Sequence, residues 1–411
     1  MSQIKRNIFY SGILTTANYI FPLLTYPYVS RVLGVANIGV CSFVDSIINY
    51  FLILSMLGMN VVGIREIAKC KDDKTKLQQT FSQLFSINTI TTTVALIILL
   101  IAMHTVPKLQ ENYHLMWIGV LKLVANFLLI EWFFKGLEDF KYVTNRTIAV
   151  RFLYVISVFL FVKEEQDVVL YYLLTAGIIL VNATVNLLYA KRHVYFQLTL
   201  SFLKEYFKSV GVLGIYAILT SMYTTFNVAY LGFISSDVEV GYYTTSTKIH
   251  TIILMMFSAV TGVLMPRMAS ILAEKKYDEY KRLIRKSAAI LIAFAIPTVI
   301  FIELFAPIII RIIAGDGYEG AILPLRIIAP LILIIGIEQI LITQSLMPMG
   351  KDNAVLINSI LGAVVGIAAN LIIVPHLVSV GSAIVWLLSE ITIMCSAIYF
   401  FRQEWSKISL N

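Results

Sequence analysis

The chain has 411 residues, of which 59% are hydrophobic and 14% charged, with a formal net charge of +8 at pH 7. Water-soluble domains carry about 45–50% apolar and about 25% charged residues, whereas the mean hydropathy here is +0.83. Too little polar surface remains to cover a water-soluble core, so soluble enzymes, disordered scaffolds and nucleic-acid-binding domains are excluded despite a pI near 9.2.

A helix needs about 20 apolar residues to cross a bilayer. In chain order the pattern predicts about twelve such spans. They cover 10–30, 38–57, 81–103, 114–134, 147–162, 168–189, 209–233, 241–265, 287–312, 321–346, 355–374 and 378–401. The first carries Ser11, Thr15, Asn18, Pro22 and Thr25 on one face, and Pro22 and Pro27 predict a bend or hinge. The second carries Ser42, Asp45, Ser46 and Asn49. The seventh carries Tyr216, Thr220, Tyr223 and Asn227, and the eighth Thr244, Lys248 and Thr251.

Basic residues orient the spans. With the N-terminus inside, 24 of the 32 Lys and Arg residues fall in cytoplasmic segments and three (Arg31, Lys108, Lys163) in external ones. This is a strong positive-inside asymmetry, and it places both termini in the cytoplasm. The longest loop, 266–286, reads as a basic amphipathic surface helix with Tyr277, Tyr280 and Leu283 on its apolar side. The 190–208 stretch reads similarly.

A shift of 202 residues superimposes Gly39 on Gly241, Arg65 on Arg267, and Ser46 on Lys248. Arg65 and Arg267 close equivalent spans, a structural or gating position. The expected organisation is two six-helix lobes, 1–200 and 201–411, as parallel repeats with a substrate site between them. The stripes on spans one, two, seven and eight then line a shared polar cavity. Hydrogen bonding between helices is the competing explanation for any single Ser or Thr.

Charges in hydrocarbon cost about 3 kcal/mol each on insertion scales. Lys248 lies about two turns into its span and is the leading cavity cation. Asp45, almost at the equivalent position, is expected to pair with Lys248 or to titrate. Glu131, Glu303, Glu338 and Glu390 read as structural acids. Lys122 could reach an interface only with difficulty. Arg151, Arg311 and Arg326 reach one by snorkelling. The five His residues give no metal spacing, and His250 is a candidate proton relay beside Lys248. No phosphate-cradling Gly-rich loop is present, and no nucleophile–base pair is evident.

One run resembles a known family. It begins Asn18-Tyr19, continues Leu23-Leu24-Thr25-Tyr26-Pro27-Tyr28 and Ser30-Arg31-Val32-Leu33-Gly34, and then Asn37-Ile38-Gly39 and Asn49-Tyr50-Phe51. It ends on Gly63-Ile64-Arg65-Glu66-Ile67-Ala68-Lys69. Echoes are Pro266-Arg267, Gly315-Asp316-Gly317-Tyr318 and Glu390. These residues resemble the Wzx-type polysaccharide repeat-unit (O-antigen) flippases of the multidrug/oligosaccharidyl-lipid/polysaccharide exporter superfamily.

The resemblance implies an all-α, two-lobed, V-shaped membrane bundle that is a transporter and not an enzyme. It implies an undecaprenyl-diphosphate-linked oligosaccharide as substrate, moved across the bacterial inner membrane by alternating access for O-antigen, capsule or exopolysaccharide synthesis. Lys248 and then Arg31 would meet the diphosphate or acidic sugars. Asp45 would couple to an H+ or Na+ gradient, with no other cofactor. Membrane lipids, a polysaccharide polymerase and a chain-length regulator are the implied partners. A multidrug exporter of the same superfamily and a membrane glycan polymerase or ligase are the alternative functions.

Overall fold

The computed structural model describes residues 3–199, 206, 210, 211, 214 and 225–409. Among them every regular element is helical. Eight helical stretches among the described residues are long and apolar enough to cross a membrane. Two of these contain a break that the hydropathy pattern anticipates. Helix α1 (Gln3–Met56) is interrupted at Gly34, whose φ of 75° and ψ of 168° are not helical. That residue separates the expected first and second spans. The last helix, Asp352–Ser409, is interrupted at Val378, which separates the eleventh from the twelfth.

The contacts divide the chain into two compact units, Met1–Ile218 and Leu219–Asn411. In the first, α1 is followed by α2 (Met59–Cys70), α3 (Lys74–Thr105), α4 (Pro107–Glu111), α5 (Tyr113–Leu128), α6 (Glu131–Gly136), α7 (Phe140–Phe161) and α8 (Val168–Ala190). An aromatic core joins α3 to α6. Phe81, Trp132, Phe133 and Phe134 are all buried there, and the Phe81 and Phe133 rings meet edge to face with centroids 5.0 Å apart. Gly63 of α2 leaves room for the indole: a Cβ at that position would lie 2.7 Å from the Trp132 ring.

The end of α1 shows how helix ends are satisfied away from water. Its last carbonyls have no partner within the helix. Asn88 Nδ2 and Thr91 Oγ1 of α3 both donate to the Ser55 carbonyl, at 2.9 and 2.6 Å. The Ser55 hydroxyl in turn meets Thr92 Oγ1 at 2.6 Å.

The second unit contains α9 (Phe226–Ile234), α10 (Asp237–Ala273), α11 (Tyr277–Ile313), α12 (Ile322–Ile328), α13 (Leu331–Glu338), a π-helical turn (Gln339–Leu346) and α14 (Asp352–Ser409). The basic 266–286 segment is not a separate surface helix. α10 runs on to Ala273, and α11 starts at Tyr277 and continues unbroken into the ninth span. Tyr280 explains the difference: it is fully buried against Met268 and Ile271, so this helical start is packed onto its own unit. The 190–208 stretch is likewise not helical over 194–199. Tyr195 there exchanges two hydrogen bonds with the Gln78 side chain.

Candidate functional site

In the first unit the second half of α1 carries the most developed polar constellation. Asp45 leaves 54% of its side chain exposed, while its partner Lys122 on α5 is 5% exposed. Lys122 Nζ donates to Asp45 Oδ1 at 2.7 Å, and the Tyr172 hydroxyl of α8 donates to the same oxygen at 2.7 Å. The ammonium also lies 3.5 Å from the centroid of the Tyr172 ring, a cation–π contact. Three helices thus converge on one carboxylate whose outer side is open. Asn49, one turn further along α1, is exposed as well, and Ser42 is part-buried with its hydroxyl turned back to the Ile38 carbonyl.

The pairing differs from the one expected. Asp45 is engaged by Lys122 within its own unit, not by Lys248. The reason is burial: Lys122 is enclosed by protein, where a cation needs an opposing charge, and Asp45 supplies it. The signal was present, because an ionisable residue inside a span needs a partner. Tyr172 carried no such signal and was missed.

Arg31 is exposed, and its guanidinium donates to the Pro27 carbonyl at 3.0 Å. Pro22 and Pro27 both lie inside the first half of α1, and Asn18 lies there outside the residues whose side chains are described. Arg65 pairs with Glu66 at 2.7 Å, and Arg267 pairs with Glu279 at 2.6 Å, where it ties α10 to the start of α11. Tyr216 and Thr220 fall outside the described residues.

In the second unit Asn227 and Thr244 are buried. Asn227 Nδ2 donates to the Tyr243 hydroxyl at 3.2 Å, and its oxygen accepts from Asn370 of α14 at 2.5 Å. Asn370 was not anticipated. The Thr244 hydroxyl donates to the Val240 carbonyl at 2.8 Å. Lys248 is part-buried on α10. In the same unit, Glu338 of α13 and Glu390 of α14 are both buried. Trp386 Nε1 donates to Glu390 at 2.9 Å, and the His250 ring lies 5.0 Å from the indole.

Such arrangements suit binding of polar groups within a membrane protein more than bond-making chemistry. Comparison with known proteins agrees. The model of a family described as "Polysaccharide biosynthesis protein" matches residues 4–272, and the MatE model matches 213–372. The chain is 27% identical over 343 residues to an Escherichia coli (strain K12) protein named "Putative O-antigen transporter", covering 82% of each. A Shigella dysenteriae protein of the same name is 23% identical over 397 residues, covering 95% of this chain and 98% of that one. Two solved structures share the fold. The lipid II flippase MurJ in an inward closed conformation has a TM-score of 0.80 at 13% identity, covering 98% and 90% of the two chains. An inward-facing multidrug resistance MATE family transporter has a TM-score of 0.71 at 16% identity, covering 95% and 94%.

Proposed function

Because this chain belongs to the polysaccharide biosynthesis protein family of the MOP exporter superfamily, we propose that it is a flippase for lipid-linked oligosaccharides. Its substrate is a repeat unit on undecaprenyl diphosphate, moved from the inner to the outer leaflet of a bacterial cytoplasmic membrane by alternating access. The observation that carries this reading is the family match over 4–272, joined to a relative named as an O-antigen transporter that aligns with 82% of the chain.

The physical need is clear. A glycan and a diphosphate cannot cross hydrocarbon unaided. A polar surface built from transmembrane helices replaces their hydration while the prenyl tail stays in lipid. The open side of Asp45, with Asn49 beside it, offers such a surface on the first unit. Lys248 and Arg31 are the proposed contacts for the diphosphate or acidic sugars. Asp45 is the proposed coupling group for an H+ or Na+ gradient, since loading its carboxylate breaks the pair with Lys122. Both termini are proposed to be cytoplasmic, and a polymerase and chain-length regulator are the proposed downstream partners.

A cellular test is direct. Deleting the gene should abolish surface display of the polysaccharide and leave its lipid-linked precursor on the cytoplasmic side, and the intact chain should restore display. Unchanged display after deletion, in a strain with no second transporter of this class, would contradict the reading.

A further inference from the structure

A second group of charges in the first unit takes no part in the Asp45 constellation. Arg146 and Arg151 of α7 line a cavity of about 290 Å³ together with Glu131 and Lys135 of α6 and Asn182 of α8. A water's share of liquid volume is about 30 Å³, so the space is large enough for a multi-oxygen anion. The cavity lies roughly 10–18 Å along α7 from its Asp139 cap, at 1.5 Å per residue.

Arg146 is the unusual member. It is 8% exposed, yet its Nε and Nη1 have no hydrogen-bond partner. Its Nη2 donates to Thr147 Oγ1 at 2.8 Å and lies 3.7 Å from Glu131. Arg151 Nη1 donates to the Ala17 carbonyl at 3.3 Å. Lys135 also faces Glu131, at 3.8 Å. Arg146 and Lys135 thus share one carboxylate and Arg151 turns to a carbonyl, so three cations and one carboxylate line the cavity, an excess of two positive charges. Leaving buried donors unmatched is costly, and more so for charged groups. The guanidinium fork matches phosphate oxygens in bidentate geometry.

The neighbouring surface is apolar. Phe9, Ile13, Ala17, Ile20 and Phe21 of α1 and Ile148 of α7 line a groove of about 560 Å³. Ala17, whose carbonyl accepts from Arg151, belongs to this groove. A charged pocket and an apolar groove therefore meet at one contact.

We infer that Arg146 and Arg151 form a subsite for the diphosphate of a prenyl diphosphate lipid, with the chain lying along the α1 groove. An excess of two positive charges suits a diphosphate better than the single charge of a phosphodiester. The inference rests on the proposed function for its biological ligand, and it names a contact away from Lys248 and Arg31.

The test uses the purified full-length protein in detergent. Farnesyl diphosphate is the probe, with pyrophosphate and dioctanoyl phosphatidylglycerol as comparators. Farnesyl diphosphate should bind at least tenfold more tightly than either comparator. Arg146→Gln and the less buried Arg151→Gln should each weaken it about tenfold or more. Glu131→Gln, which removes the competing carboxylate, should tighten it severalfold, a gain that misfolding cannot produce. Binding of farnesyl diphosphate unchanged by all three substitutions would overturn the subsite. Equally tight binding of phosphatidylglycerol would overturn the diphosphate assignment, and equally tight pyrophosphate would overturn the groove. Because the assay needs no glycan and no transport, a failure here leaves the flippase reading standing. A failure of the gene deletion to alter surface display leaves the binding result to be scored separately.

Discussion

Lys122 Nζ sits 2.7 Å from Asp45 Oδ1, with the ammonium buried and the carboxylate half open. The two sides of this pair are unequal. Removing Asp45 strands a buried cation, whereas removing Lys122 leaves an acid that is already partly accessible.

Asp45→Asn should therefore destabilise the protein by about 3 kcal/mol, near the low end for breaking a buried pair. Lys122→Met should cost clearly less, about 1 kcal/mol, because a half-exposed carboxylate keeps part of its hydration. The double variant should recover part of the Asp45→Asn loss. Thermal unfolding of the four proteins in one detergent forms the cycle. Equal losses for the two single variants, adding without coupling in the double, would contradict this account.

The all-helical class was readable because burial in lipid demands long apolar helices. The punctuation between spans one and two was readable too, since Gly34 closes the Ser30–Gly34 run. What the pattern could not show was which buried groups meet across helices. Lys122 was visible as a charge, but its direction toward Asp45 depends on how α5 and α8 pack beside α1. Asn370 and Tyr172 look like ordinary residues of apolar helices until their partners are in view. The 266–286 segment was misread because a basic amphipathic start looks the same whether its apolar side meets lipid or its own protein.

Gly34 has φ 75° and ψ 168°, a region open essentially to glycine alone. A Cβ there would meet Glu165 Oε1 at an ordinary 3.5 Å, so the obstacle is backbone strain and not space. Gly34→Ala should cost about 1–3 kcal/mol, read as a lowered unfolding midpoint. A midpoint equal to wild type would show that the break does not require glycine.

Gly63 makes the opposite case. Its backbone is helical, but a Cβ would lie 2.7 Å from the Trp132 ring. Gly63→Ala should cost about 1–3 kcal/mol by overpacking. Gly177→Ala is the comparison, since nothing lies within 4 Å of a Cβ there, and it should be neutral or stabilising by up to about 1 kcal/mol. Unfolding midpoints of the two variants should move apart. Equal midpoints would contradict the packing at Trp132.

Asn227 links Tyr243 and Asn370 inside the second unit. Interhelical hydrogen bonds in membrane proteins contribute about 0.6 kcal/mol on average and up to about 1.7. Asn370→Ala should cost about 1 kcal/mol. Asn227→Ala should cost more, because it abandons two partners. Urea or thermal unfolding in detergent gives the order, and the reverse order would place the centre of the network on Asn370.

Translocation itself tests the central claim. Purified protein is reconstituted into vesicles carrying a fluorescent oligosaccharide on undecaprenyl diphosphate, and a membrane-impermeant quencher reports the outer leaflet. The account predicts that inner-leaflet signal becomes accessible to quencher with time in protein-containing vesicles and stays protected in empty ones. Identical, unchanging accessibility in both, with correctly folded protein and an imposed H+ or Na+ gradient, would contradict it.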